Sequence, residues 1–279
     1  MIKIATGFLV GLAAIAALFT LGASAADEAR VRVIHSSPDA PAVDVYANGT
    51  KVLSDVPYLA SSGYMAVPAG DYTFEVFASG ADPAADAAVI TLPATLEPNT
   101  DYTVVALGAL AAIQPAVFVD DNTAPAAGKA HISVVHAGAD APAVDVAVTD
   151  GPVLVSNLAL GEGAGPLPVD AGTYNLELRV AGTTDVALSL PNVSLSDGSI
   201  YTLIATGFLN SEPALTVEAY AETPLIAETE AVAPPASGSG GLLGNDDTTT
   251  SYLPWAGIAV AVAVLGLLGV RLVSARSRA

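Results

Sequence analysis

A fourteen-residue stretch of this chain is written twice. Val33–Tyr46 (VIHSSPDAPAVDVY) returns as Val134–Ala147 (VVHAGADAPAVDVA), 101 residues later. The second copy brings more of the first with it. VPAGDYTFEV (Val67–Val76) returns as VDAGTYNLEL (Val169–Leu178), and LEPNTDYTVVALGAL (Leu96–Leu110) as LSDGSIYTLIATGFL (Leu195–Leu209). The fold problem therefore reduces to one module of about 95–100 residues built twice, a common size for a single domain. Two like modules in series point to a spacer or a binding rod rather than to one active site.

Each module reads as short strands. In Arg30–Ser36, Val31 and Val33 alternate with Arg30 and Arg32, and Ile132 and Val134 take the same places in the second copy. In Asp71–Phe77, Tyr72, Phe74 and Val76 share one face, and Tyr174, Leu176 and Leu178 repeat it. Period-two alternation with one apolar face predicts strands half-buried in a sandwich. Gly, Pro, Asn and Asp punctuate the strands. The AGxY turns, Ala69–Tyr72 and Ala171–Tyr174, are expected to hold Gly70 and Gly172 at positive φ. A Leu six residues before a Tyr, with a turn between, occurs at Leu96/Tyr102 and again at Leu195/Tyr201. That spacing resembles the tyrosine corner of immunoglobulin-like and fibronectin-type sandwiches, where the hydroxyl bonds back to the preceding turn. The expected fold is all-β: two tandem immunoglobulin-like or fibronectin-like β-sandwiches.

The ends carry different signals. Residues 1–25 read as a secretory signal peptide, with Lys3, an apolar run from Ile4 to Leu21 and the small-x-small site Ala23-Ser24-Ala25. The expected order is module 1 over 26–124, a linker over 125–129 that overlaps the Pro- and Ala-rich Asn122–Gly128, and module 2 over 130–222. A flexible stalk over 223–252, rich in Pro, Ala, Gly, Ser, Thr and acid, follows. Residues 253–273 read as a transmembrane helix. The uncharged run Leu253–Val270 would span roughly 27 Å as a helix, close to the thickness of a hydrocarbon core. Arg271, Arg276 and Arg278 follow it and place residues 274–279 on the cytoplasmic side, the modules outside. Leu253–Gly257 (LPWAG) also resembles a sortase sorting signal, which makes covalent cell-wall anchoring the alternative. Its fourth residue is Ala256, where that signal usually has Thr.

Composition excludes several functions. There is no cysteine, so an exported chain must hold together by packing alone, and thiol nucleophiles and zinc–thiolate sites are out. All 28 acidic residues lie between Asp27 and Asp247, opposed there by Arg30, Arg32, Lys51, Lys129 and Arg179, a balance of −23. A face that binds nucleic acid must be basic, so nucleic acid is excluded as a partner. Solubility, salt adaptation and divalent-cation binding remain open as meanings of the acid.

The repeated motif is the candidate site. His35 and His136 close the first strand of each module, and Asp39, Asp44, Asp140 and Asp145 follow at fixed spacing. If Val43 and Val45 point into the core, Asp44 and Asp145 point away from it. Two readings stand. As a metal site, oxygen ligands suit calcium and imidazole suits transition metals, yet neither coordination set is complete. As loop formers, His and Asp bond to backbone groups in a Pro-stiffened turn. The motif, after its alternating strand, resembles the extracellular domain of unknown function 4397 over about residues 29–119 and 130–217. The second copy departs from it where Gly138-Ala139 replaces Ser37-Pro38. The resemblance implies a β-sandwich at a prokaryotic cell surface, often in tandem and anchored, and no assigned activity.

No G-x-S-x-G, H-E-x-x-H or phosphate-binding Gly-Lys loop occurs. His131 stands where the first copy has Arg30, so it is no shared catalytic group. The expectation is a non-catalytic, single-pass surface protein for envelope structure, adhesion or partner binding, with a protein or glycan partner. The alternative is a calcium- or carbohydrate-binding surface module. Sequons stand at Asn48-Gly49-Thr50 and Asn192-Val193-Ser194. The oligomeric state is open.

Overall fold

The computed structural model describes residues 28–222, and the expected signal peptide, stalk, membrane helix and cytoplasmic tail lie outside them. The first module holds β1 (Glu28–Ser36), β2 (Val43–Ala47), β3 (Thr50–Val56), β4 (Met65–Pro68), β5 (Gly70–Ala78), β6 (Ile90–Leu96), β7 (Asp101–Leu107) and β8 (Gln114–Asp120), with one 3₁₀ turn at Leu110–Ala112. The second repeats them as β9 (Lys129–Gly138), β10 (Val144–Val148), β11 (Val153–Leu158), β12 (Gly163–Asp170), β13 (Gly172–Val180), β14 (Val186–Leu195), β15 (Ile200–Gly207) and β16 (Thr216–Glu222). Each module is a pair of four-stranded sheets. The orders are β4-β1-β7-β8 and β3-β2-β5-β6, then β12-β9-β15-β16 and β11-β10-β13-β14. The all-β sandwich expectation holds.

One pairing was not legible in the alternation. β1 and β7 run parallel, with Val31 opposite Tyr102 and Val33 opposite Val104. β9 and β15 repeat this, with Ile132 opposite Tyr201 and Val134 opposite Leu203. Parallel neighbours need a long crossover. Here the chain supplies it by passing through the opposite sheet. The alternating residues then close on each other: Val31, Val33, Val43, Val45 and Val76 in one core, Ile132, Val134, Val144, Val146, Leu176 and Leu178 in the other. Each such side chain removed from water contributes about 1.5–3 kcal/mol, which lets the modules dispense with disulfides.

The tyrosine corners are present. The Glu97 N–H donates to the Tyr102 hydroxyl at 3.0 Å and the Ser196 N–H to the Tyr201 hydroxyl at 3.1 Å. A second pair anchors the AGxY turns, with Tyr72 Oη donating to the Pro68 carbonyl at 2.9 Å and Tyr174 Oη to that of Asp170 at 2.8 Å. Gly70 has φ +143° as expected. Gly172 does not share it; the tyrosine bond holds that turn without a left-handed residue.

The two sandwiches meet face to face. Ile34, Val105 and Leu107 of the first pack with Val135, Ala137, Ile204 and Tyr220 of the second. β1 is consequently buried on both faces, not on one. Arg32, on the side away from the core, is fully buried, because that side faces the other module rather than solvent. The linker is held at both ends: Asn122 Nδ2 donates to Asp101 Oδ2 at 2.7 Å, and the Gly128 N–H to Asp197 Oδ1 at 2.7 Å.

Candidate functional site

The motif places its aspartates in the same way twice. Val43 and Val45 enter the core, so Asp44 turns to the other side of β2, and there it is buried. Asp44 Oδ1 accepts the N–H of Asp55 at 2.8 Å; Oδ2 accepts Lys51 Nζ at 2.7 Å and the Gly80 N–H at 3.3 Å. Asp145 accepts the N–H of Asn157 at 2.7 Å and of Gly182 at 3.0 Å. Asp55 and Asn157 both have left-handed φ, +54° and +56°, where β3 and β11 bulge against their partners. An extra residue in a bulge leaves its N–H outside the ladder, and the motif carboxylate receives it. Burial opposes the charge on Asp44, but Lys51 and the two N–H groups outweigh it and hold the carboxyl below its usual range.

Asp39 and Asp140 are exposed, and each ties the loop after the first strand to the loop after the seventh. Asp39 Oδ1 accepts the Leu110 N–H at 2.7 Å. Asp140 accepts the N–H groups of Leu209 and Asn210, the latter at 3.1 Å, with Asn210 Nδ2 at 3.2 Å. These bonds outweigh desolvation and hold Asp140 low as well.

The histidines are buried completely. His136 Nε2 meets the Pro142 carbonyl at 3.0 Å while Nδ1 lies 3.2 Å from the Gly138 N–H. The carbonyl requires a proton on Nε2 and the amide a lone pair on Nδ1, so the ring is neutral. His35 instead meets the Val56 carbonyl through Nδ1 at 3.1 Å. Desolvation pushes both imidazoles below their ordinary value. The six candidates are thus distributed over separate loop contacts, and among the described residues no three His, Cys, Asp or Glu side chains stand close enough to hold a metal ion.

A second polar cluster lies between the modules. Arg32 Nη2 donates to Thr103 Oγ1 at 2.7 Å and to Thr202 Oγ1 of the second module at 3.1 Å, and Nη1 pairs with Glu222. Its guanidinium lies 4.7 Å from the centre of the Tyr64 ring. Thr103 and Tyr64 hydroxyls donate to Asp120 Oδ2 at 2.6 and 2.8 Å. Burial pushes the carboxyls of Asp120 and Glu222 up and the Tyr64 phenol up to about 12. The sequence held a signal for this cluster: two of five cations in an acidic stretch share one strand. Alternation alone could not reveal the cluster, because it describes one module and not what the module stacks on.

Comparison with known proteins agrees with the repeat. The family model for the domain of unknown function DUF4397 matches residues 29–147 and 131–232. No curated protein matches the chain. Among solved structures, the N-terminal domain of AlgF from P. aeruginosa aligns at 25% identity over 34% of this chain and 95% of that one, with a TM-score of 0.25. The Bacillus anthracis TIE protein aligns at 10% identity over 64% of this chain and 34% of that one, with a TM-score of 0.19. The family match covers both sandwiches, and the chain belongs to the DUF4397 family, with two tandem copies of its domain.

Proposed function

We propose that this chain is a cell-surface-anchored, non-catalytic protein that presents two β-sandwich modules as one block, for envelope structure, adhesion or binding of a protein or glycan partner. The observation that carries this reading is the use of the motif. In both copies the aspartates bind backbone N–H groups of neighbouring loops, and the histidines are buried. Residues used this way hold loops in place rather than present a reactive group. The buried contact between the modules supports display as one stiff unit rather than two beads. The apolar run and arginines at the C-terminus support a membrane anchor, and the acidic balance supports an exported, soluble ectodomain.

Protease treatment of intact cells that express the full chain with a tag after Ala279 tests the reading. The ectodomain should be clipped from outside while the tagged stub stays with membranes through an alkaline wash. Release of the ectodomain by cell-wall digestion would transfer the anchor to the sortase alternative, and full protection from protease would remove the surface assignment.

A further inference from the structure

The cluster between the modules holds more carboxylate than cation. Arg30 of β1 pairs with both oxygens of Asp101 on β7, with Nε 2.7 Å from Oδ1, and Asn122 Nδ2 donates to the same carboxylate. Arg32 pairs with Glu222 of β16. Both arginines are then matched, and Asp120, at the end of β8, is the third carboxylate. Among the described residues no cation stands at ion-pair distance from it. Its partners are neutral: the Thr103 and Tyr64 hydroxyls, at 2.6 and 2.8 Å, both on Oδ2. Arg32 reaches it from β1, Tyr64 from the segment before β4 and Asp101 from β7, while Glu222 and Arg30 complete the charges around Arg32. Glu218, buried farther along β16 beside Tyr58 and Tyr220, brings further negative charge to the joint.

We infer that Asp120 is a proton-binding site of the joint between the modules, and that its protonation tightens that joint in acid. A carboxylate removed from water without a cation is costly, and it takes up a proton rather than stay charged. Both hydroxyls meet Oδ2, which leaves Oδ1 to take the proton. The joint then holds two balanced pairs, Arg30 with Asp101 and Arg32 with Glu222, and Arg32 no longer divides its field between two carboxylates. Burial raises the Asp120 carboxyl above its usual range, against the pull of the two hydroxyls and Arg32. The sign follows from linkage. A carboxyl raised in the fold contributes stability that is complete below the unfolded value of about 3.9 and is lost as pH rises through the folded value. Asp120 therefore firms the joint in acid and loosens it towards neutral pH.

Urea denaturation of the purified full chain in non-ionic detergent micelles tests it at pH 7.5 and 5.0, with wild type, Asp120→Asn, Glu222→Gln and the double variant. Asparagine keeps an oxygen for the two hydroxyls and carries no charge. Asp120→Asn should raise the urea midpoint at pH 7.5, and the gain should shrink at pH 5.0 as wild type takes up its proton. With Glu222→Gln in place Arg32 depends on the Asp120 charge, so the same substitution should lower the midpoint. An aspartate that served structure alone would be harmed by asparagine at both pH values and in both backgrounds. A midpoint of Asp120→Asn below wild type at pH 7.5 overturns the inference, as does a gain equal at both pH values or a gain in the Glu222→Gln background. Amide hydrogen exchange at pH 7.5 reads the joint itself. β1, β7 and β16 should be better protected in Asp120→Asn than in wild type, and unchanged protection there overturns the tightening. If Asp120→Asn does not fold, carbon-detected NMR of the wild-type carboxyls replaces it. The Asp120 carboxyl should titrate above the ordinary aspartate range, and titration within or below that range overturns the inference. Failure here leaves the anchor and surface assignments intact, because the protease experiment reads those separately.

Discussion

Arg32→Ala is the sharpest perturbation of the two-module block. The guanidinium is fully buried and binds Thr103 of its own module with Thr202 and Glu222 of the other. Removing one member of a buried ion pair costs about 3–5 kcal/mol, chiefly because the remaining charge is left without compensation. Glu222 keeps 23% of its side chain exposed, so water relieves part of that charge and the lower end applies, about 3 kcal/mol. For a unit of this size the melting temperature should fall by roughly 6–12 °C. Arg32→Met with Glu222→Gln removes both charges and keeps most of the volume, and should cost less than about 1.5 kcal/mol. Lys129→Ala breaks an exposed pair with Asp170 within one module and should cost under about 1 kcal/mol. Urea denaturation of an Ala26–Pro224 fragment, followed by fluorescence and circular dichroism, measures all three. An Arg32→Ala loss below about 1 kcal/mol would refute the reasoning, since a buried bridge between modules cannot be removed so cheaply.

Two further outcomes follow from particular side chains. The core of module 1 borders a partly open apolar pocket of about 30 Å³, lined in part by Val76, Leu92 and Val104, while module 2 has Leu203 where module 1 has Val104. Val104→Leu adds one methylene and should stabilise the fold by about 0.8 kcal/mol, read as a higher urea midpoint. A lower midpoint would mean the space is not available. His136 titrates below its ordinary value in the fold; the unfolded chain therefore binds its proton first. Its stabilising contribution is full above the unfolded pKa of about 6.5 and is lost as pH falls through the folded value, by at most about 1.4 kcal/mol per unit of depression. Asp120 and Glu222, held high by burial, act in the opposite sense. The histidine contribution is therefore the difference between wild type and His136→Gln in urea midpoints at pH 7.5 and 5.5. Wild type should lose more stability than the variant on acidification, and equal losses would contradict a neutral buried ring.

Much of the module was legible in the sequence, because its signals are local. The alternation in Arg30–Ser36 and Asp71–Phe77 marks strands, and the Leu96/Tyr102 spacing marks the corner whose hydroxyl receives the Glu97 N–H. The parallel union of β1 with β7 was not legible, since alternation carries no direction. The burial of Arg32 was not legible for a related reason. A charged residue alternating with valine faces away from its own core, and nothing local says whether that side meets water or a second module. The orientation of Asp44 could be read from Val43 and Val45, but its burial depends on the β3 bulge and the Gly80 turn, which close over it from 11 and 36 residues away.

The central claim is that the His-to-Asp motif binds the protein's own backbone rather than a ligand. A thermal melt of the Ala26–Pro224 fragment with calcium and then with chelator tests it most directly. A ligand that binds only the folded state raises the melting temperature by mass action. With Asp39 on the Leu110 N–H and Asp140 on those of Leu209 and Asn210, the melting temperature should be the same in both conditions, and Asp39→Ala and Asp140→Ala should lower it equally in each. A calcium-dependent rise in wild type that those substitutions abolish would make the carboxylates a metal site and contradict the account.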